Sequence, residues 1–197
     1  MVKAGIAGLL LLGFLVYLID TIEPRYPAGV LIPEDPDQQL MNSSRSWPMG
    51  KYQITPLAEF RLRARVLHTE SYWLDRGADL SPVDLALGWG RMSDQSVLDQ
   101  VEFWQGQRWY RYWPRKSTFP IPLTEMVSHS ANMHMIPANQ EVKNVLKSVG
   151  AGKVIQMSGY LVEVRGPDGF AWRSSLSRTD TGAGACELVW VEEITAR

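Results

Sequence analysis

The sequence predicts a mainly β protein, in which an N-terminal transmembrane helix is followed by a small β-barrel with one short helix. Three observations lead to this fold class. Residues 4–19 contain no charged side chain, several later segments alternate between apolar and polar residues, and one later segment has the spacing of an amphipathic helix. The predicted boundaries are a transmembrane anchor over residues 1–22, a proline-rich tether over residues 23–50 and the barrel domain over residues 51–197.

The composition is that of a folded domain with one appendage. The 197 residues are 45% hydrophobic and 21% charged, which excludes a disordered or collagen-like chain. With 20 basic and 21 acidic residues the net charge is −1, so no excess of positive charge favours nucleic acid as a partner. The single cysteine, Cys186, excludes an internal disulfide, a redox cysteine pair and a cysteine-rich metal site. We therefore expect neither a cofactor nor a bound metal.

The anchor is the first element. Asp20 follows residues 4–19, and the sequence after it contains no small-residue cleavage site of the kind that ends a signal peptide. As a helix with a rise of about 1.5 Å per residue, residues 1–22 are roughly 33 Å long, enough to cross a hydrocarbon core of about 30 Å. Ala4 and Gly8 are small residues one turn apart, and we expect them to let another transmembrane helix pack closely.

The charges that flank the anchor predict its orientation. Lys3 lies on its N-terminal side, whereas Asp20 and Glu23 lie on the other side. The positive-inside rule then leaves the N terminus in the cytoplasm and the following domain in the periplasm, at a bacterial inner membrane. The five prolines of residues 23–50 indicate a semi-extended tether, and the apolar residues 30–32 indicate that it lies along a surface.

The first half of the domain predicts strands. In residues 60–66 apolar residues alternate with arginine, as in a half-buried strand. The core face is expected to carry Phe60, Leu62, Ala64 and Val66, and the other face Arg61, Arg63 and Arg65. Residues 85–90 predict a second, short strand that ends at glycines. Residues 101–113 predict a hairpin that turns at residues 105–107.

The second half of the domain contains the helix and the closing strands. Apolar residues at helical spacing follow Asn139 as a helix N-cap and precede Gly150; they are Val142, Val145, Leu146 and Val149. Residues 153–165 and 170–175 then predict a second hairpin, and residues 188–194 a final strand, with a bulge at Gly159. Strands on both sides of one helix resemble the element order of the OB-fold, an analogy that rests on order alone.

Three segments give the chain a resemblance to known sequences. They are GWGRMSD at residues 88–94, NMHMIPAN at residues 132–139 and GAGACELVWV at residues 182–191. In these segments the chain resembles uncharacterised bacterial single-pass membrane-anchored proteins. The resemblance implies a membrane-anchored domain and brings no activity or cofactor with it.

An aromatic and basic ribbon in the first hairpin is the predicted binding site. The chain has eight tryptophans, more than one small core needs, since each buries on the order of 200 Å². Trp, Tyr and Arg are enriched in protein interfaces and also suit lipid headgroups. The residues predicted to contact a partner are Trp104, Arg108, Tyr110 and Tyr112.

A soft-metal site is an alternative for the segment that precedes the helix. Imidazole and thioether groups cluster there, in His129, Met133, His134 and Met135. Such ligands suit Cu(I) in an exported protein. Methionine more often fills gaps in a hydrophobic core, which is the competing interpretation of the same residues.

A cysteine nucleophile is the other alternative. His134, Arg178 and Cys186 are the residue types with which sortase-like transpeptidases act on a peptide carbonyl. The residues before Cys186 lack the threonine-leucine pattern of that family. A cysteine that leads into an apolar strand is also, more often, a buried structural thiol.

The sequence therefore predicts a membrane-anchored periplasmic binding domain, an accessory or assembly subunit of an inner-membrane respiratory or photosynthetic complex. The expected partners are an integral membrane protein complex and the lipid bilayer, without nucleic acid. The alternative is a cell-envelope cysteine transpeptidase-like enzyme that uses Cys186 and His134.

Overall fold

Ten strands and four short helices make up residues 23–42, 45–182 and 184–197, the part of the chain that the structure, a computed structural model, describes. The strands are β1 (Asp37–Leu40), β2 (Trp47–Met49), β3 (Tyr52–Ser71), β4 (Val83–Gly88), β5 (Val101–Gly106), β6 (Trp109–Pro114), β7 (Ser130–Pro137), β8 (Val154–Arg165), β9 (Ala171–Arg173) and β10 (Glu187–Ala196). The helices are a 3₁₀ helix (Gly90–Ser93), α1 (Gln95–Leu98), α2 (Leu123–Ser128) and α3 (Gln140–Ser148). The mainly β fold class is confirmed.

Five of the strands close into a ring. Its order is β3, β4, β7, β10 and β8, and β8 pairs again with β3. All neighbours are antiparallel except β7 and β10, which are parallel. A parallel pair requires a crossover, and α3 with β8 supplies it. The predicted helix is confirmed, because the Asn139 side chain accepts a hydrogen bond from the Val142 N–H at 2.9 Å.

The burial of side chains along β3 follows the predicted alternation on its core face but departs from it on the other face. Phe60, Leu62, Ala64 and Val66 are buried inside the ring. Arg61, Arg63 and Arg65 share the other face, as predicted, but Arg65 is 1% exposed, so the strand is not half-buried at this position. The Arg65 guanidinium donates to Gln95 Oε1 at 2.5 Å and lies 4.8 Å from the Tyr26 ring. These contacts come from segments that cover this part of the strand.

The segment predicted as a tether lies against the ring. Strands β1 and β2 both pair with β3. Ile32 has no exposed surface, and its N–H donates to Ser93 Oγ at 2.9 Å. The described part of residues 23–50 is therefore built into the fold, beyond the surface contact that residues 30–32 predicted.

The predicted anchor over residues 1–22, with Ala4 and Gly8, lies outside the described residues. Among the described residues, every helix is too short or too polar to cross a membrane.

The first hairpin turns at residues 107–108, later than the predicted turn at residues 105–107. Gln107 and Arg108 form its loop with φ of 52° and 69°, and Gly106 pairs with Trp109. The faces change accordingly. Tyr110 and Tyr112 pack inward with Phe103 in a cluster under the hairpin, while Trp104, Trp109 and Trp113 are exposed.

The irregularity expected at Gly159 lies in its partner strand. The β8–β10 register shifts between Val191 and Glu193, so the extra residue belongs to β10. Gly159 lies opposite this bulge, where a Cβ atom would be 1.9 Å from the Trp190 carbonyl oxygen. Only glycine allows the two backbones to approach this closely.

Candidate functional site

Two ring strands place a carboxylate beside an imidazole. Asp84 on β4 is the direct cross-strand partner of His134 on β7. Asp84 Oδ2 lies 2.9 Å from His134 Nδ1, and both side chains are almost completely buried. The contact is short, but its N–H direction is not that of an aligned hydrogen bond. We therefore describe the two residues as a buried ion pair.

Arg108 holds the other side of the Asp84 carboxylate. Its Nη1 lies 2.7 Å from Asp84 Oδ1, and its Nη2 lies 2.9 Å from Asp75 Oδ1. The guanidinium also stacks 3.7 Å from the Tyr72 ring centroid. Because these contacts occupy it, Arg108 belongs to the buried network and not to the exposed face predicted for it.

Cys186 lies close to His134. The loop before β10 places the half-buried thiol in the lining of the cavity that His134 also lines, and the interaction between the two raises the pKa of the imidazole. The His134 Nδ1 atom faces Asp84. Burial lowers the pKa of His134, but the contacts with Asp84 and Cys186 outweigh burial and raise it to about 9. The imidazolium is thus the favoured form at neutral pH.

The alternation of β7 separates the residues predicted to bind copper. His134 faces the Asp84 side, whereas Met133 and Met135 point the other way and are fully buried in the ring core. His129 lies elsewhere, with its Nε2 3.9 Å from Asp35. Within the described ranges, no group of three or more His, Cys, Asp and Glu residues is arranged to hold a metal ion. The predicted copper set is therefore not assembled.

Arg178 lies near the thiol but contacts other groups. Its guanidinium pairs with Glu187 and with Gln38. Burial raises the pKa of the Glu187 carboxyl to about 7, although Arg178 acts in the opposite direction. Arg178 is thus engaged by an acid and an amide instead of extending toward His134.

Two cavities meet at Cys186. One, of about 400 Å³, lies between the aromatic hairpin and the loop that carries Arg178 and Asp180. The other, of about 360 Å³, is bounded by His134 and Trp172. Cys186 lines both cavities.

The predicted partner-binding residues are divided between environments. Trp104 is exposed, and Arg111 lies 5.6 Å from its ring. Tyr110 and Tyr112 face inward, and burial raises the pKa of each phenol. The exposed aromatic face is instead formed by Trp104, Trp109 and Trp113.

Sequence reasoning named Cys186 and His134 but missed Asp84. A signal for Asp84 exists, because it is the only charged residue within the apolar residues 83–88. A carboxylate in a fully buried strand requires a counterion. Asn132, which lies 3.6 Å from Cys186 Sγ, gave no such signal.

Comparison with known proteins found no matching family model, no matching curated protein and no matching solved structure.

Proposed function

We propose that this chain is a cysteine-dependent acyl-transfer enzyme of the transpeptidase type, with Cys186 as the nucleophile and His134 as its acid and base. One observation carries the proposal. The Cys186 thiol and the His134 imidazole line one cavity and interact, and the imidazole Nδ1 lies 2.9 Å from Asp84 Oδ2. A nucleophile, a base and a group that orients the base are the parts that covalent acyl transfer requires.

The chemistry follows from these contacts. In the reactive form the proton is on His134 and Cys186 is a thiolate, so a thiolate lies beside an imidazolium whose charge Asp84 stabilises. The thiolate attacks the carbonyl carbon of an ester or amide, and the C–O or C–N bond breaks as the leaving group takes the proton from His134. Water or an amine then attacks the thioester carbonyl carbon and gives a proton to His134. The C–S bond breaks, which releases the acyl group and restores the thiolate and the imidazolium.

Two probes test the nucleophile in the full chain extracted in mild detergent. Iodoacetamide is expected to alkylate Cys186 about tenfold faster in the wild type than in His134→Gln, because only the former holds the thiolate beside a cation. p-Nitrophenyl acetate is expected to release one equivalent of nitrophenol in a burst that Cys186→Ala abolishes.

The matched control is His129→Gln, which removes a half-buried imidazole outside the thiol's surroundings. Its alkylation rate and its nitrophenol burst are expected to match those of the wild type. Equal alkylation rates in the wild type, His134→Gln and His129→Gln, with no burst in the wild type, would identify Cys186 as a structural thiol and overturn the proposal.

A second candidate is the membrane-anchored periplasmic binding domain of an inner-membrane respiratory or photosynthetic complex. One observation favours it: Trp104, Trp109 and Trp113 are each at least 40% exposed on one hairpin. Exposed aromatic patches of this kind mark contact sites.

The test of this candidate is the variant that combines Trp104→Ala with Trp113→Ala. We expect this variant no longer to co-purify with an integral membrane complex, while its thermal stability stays unchanged. Retention of the complex would contradict this candidate.

We also propose that the five-stranded ring is a barrel of the OB type. Counted along the chain, the ring order is first, second, third, fifth and fourth, with α3 between the third and fourth strands. An experimental structure with an open gap between β3 and β8 would contradict this proposal.

A further inference from the structure

A chain of side-chain hydrogen bonds from His68 through Gln105 and Asn132 reaches Cys186. His68 Nδ1 lies 3.1 Å from Gln105 Oε1, and Gln105 Nε2 lies 2.5 Å from Asn132 Oδ1. Asn132 Nδ2 then lies 3.6 Å from Cys186 Sγ. Gln105 and Asn132 are 3% and 5% exposed, so water does not compete for these contacts.

One carbonyl group fixes the direction of the whole chain. Asn132 Nδ2 lies 3.1 Å from the Arg108 carbonyl oxygen, which only accepts. The Asn132 amide nitrogen must therefore be on the side of Arg108 and Cys186, and its oxygen must accept from Gln105. Gln105 then presents its oxygen to His68, which must carry a proton on Nδ1. Rotating either amide would bring two acceptors or two donors together.

We propose that Asn132 is a positioning residue that donates a hydrogen bond to the sulfur of Cys186 and favours its thiolate, with the Arg108 carbonyl and Gln105 holding the amide in this orientation. The inference rests on the proposed function of Cys186. A donor stabilises the charged form of an acceptor more than its neutral form, and buried donors act most strongly because water does not replace them.

Because the Asn132 side chain is neutral, its effect on the Cys186 thiol can be measured apart from the effects of nearby charges. The titratable and charged groups that line the two cavities at Cys186 are His134, Arg108, Arg111, Arg173, Arg178, Asp180, Glu187, Tyr110 and Tyr112, and Asp84 contacts His134. Asn132→Leu changes none of these charges and keeps a side chain of similar size. A change in thiol reactivity in this variant therefore reports the lost donor.

The test is the pH profile of iodoacetamide alkylation of the full chain. In Asn132→Leu the midpoint of the profile is expected to move up by about one pH unit, with alkylation about tenfold slower at pH 7. Gln105→Leu, which removes one of the two contacts that orient the Asn132 amide, is expected to move the midpoint in the same direction by less. Asn144→Leu, the same exchange at an exposed site on α3, is expected to leave the midpoint unchanged.

The outcomes distinguish this inference from the proposed function. Unchanged alkylation in His134→Gln overturns the proposed function and the inference with it. A midpoint that His134→Gln moves and Asn132→Leu does not move overturns the inference alone.

A measurement on the wild type stands even where the variants fail to fold. Long-range ¹⁵N–¹H correlation of the His68 ring is expected to show the proton on Nδ1. A neutral ring protonated on Nε2 would reverse the donor chain and overturn the inference.

Discussion

Asp84 contacts two basic side chains from a position with no exposed surface. Asp84→Asn keeps the shape of the side chain and removes its charge, so Arg108 and His134 lose their shared counterion. Breaking a buried ion pair costs about 3–5 kcal/mol. We therefore expect urea titrations to show a free energy of unfolding lower by about 3 kcal/mol, together with slower alkylation of Cys186.

The control for Asp84 is Asp37→Asn, which removes an exposed carboxylate on β1. Its free energy of unfolding is expected to stay within about 0.5 kcal/mol of the wild type. Equal stability of the two variants would show that the buried pair contributes nothing.

The proton on His134 makes stability depend on pH. Its contacts raise the pKa from 6.5 to about 9, so the folded protein keeps a proton that the unfolded chain loses above pH 6.5. This contribution to stability is complete below pH 6.5 and is lost as the pH rises through about 9. We expect the free energy of unfolding to fall across that interval in the wild type and to do so less in His134→Gln. Identical slopes would contradict the assignment.

At the scale of elements, the pairing of β8 with β10 at the bulge depends on one glycine. A methyl group on Gly159 would lie 1.9 Å from the Trp190 carbonyl oxygen, and a backbone atom cannot rotate away as a side chain can. We expect Gly159→Ala to lower the free energy of unfolding by about 3 kcal/mol. Gly150→Ala is the matched control, because a Cβ there meets nothing within 4 Å. Similar melting temperatures for both variants would refute the close approach.

Local patterns predicted the elements better than their pairing. Alternation identified the core face of β3, and the Asn139 cap with apolar spacing identified α3. The hairpin turn was misplaced because Gly106 is the usual turn residue, whereas Gln107 and Arg108 adopt positive φ here. A shift of the turn changes which side chains share a face. Of the predicted binding residues, Trp104 is therefore exposed, whereas Tyr110 and Tyr112 face inward.

The candidate site shows the same limit. Cys186 and His134 stand out by residue type, and both were named from the sequence. Asp84 and Asn132 become relevant only through the register of β4, β7 and β10, which long-range pairing sets. Composition and local spacing carry no information about such pairing.

At the scale of the whole molecule, the segment before β1 is part of the core. Ile32 is fully buried with ring residues. Ile32→Ala is expected to lower the free energy of unfolding by about 2–4 kcal/mol through lost contacts and a cavity. Val30→Ala, at a position 45% exposed, is expected to cost far less. Equal small losses would mean that this segment is a detachable tether.

The parallel strand pair sets an order of events during folding. Strand β10 enters between β7 and β8, although both precede it in the chain. Until it does, β10 does not hold the loop that carries Cys186 beside His134. Such long-range closure is slow compared with helix or hairpin formation. We therefore expect the thiol of a newly synthesised chain to react as an exposed cysteine does until β10 has paired with β7 and β8.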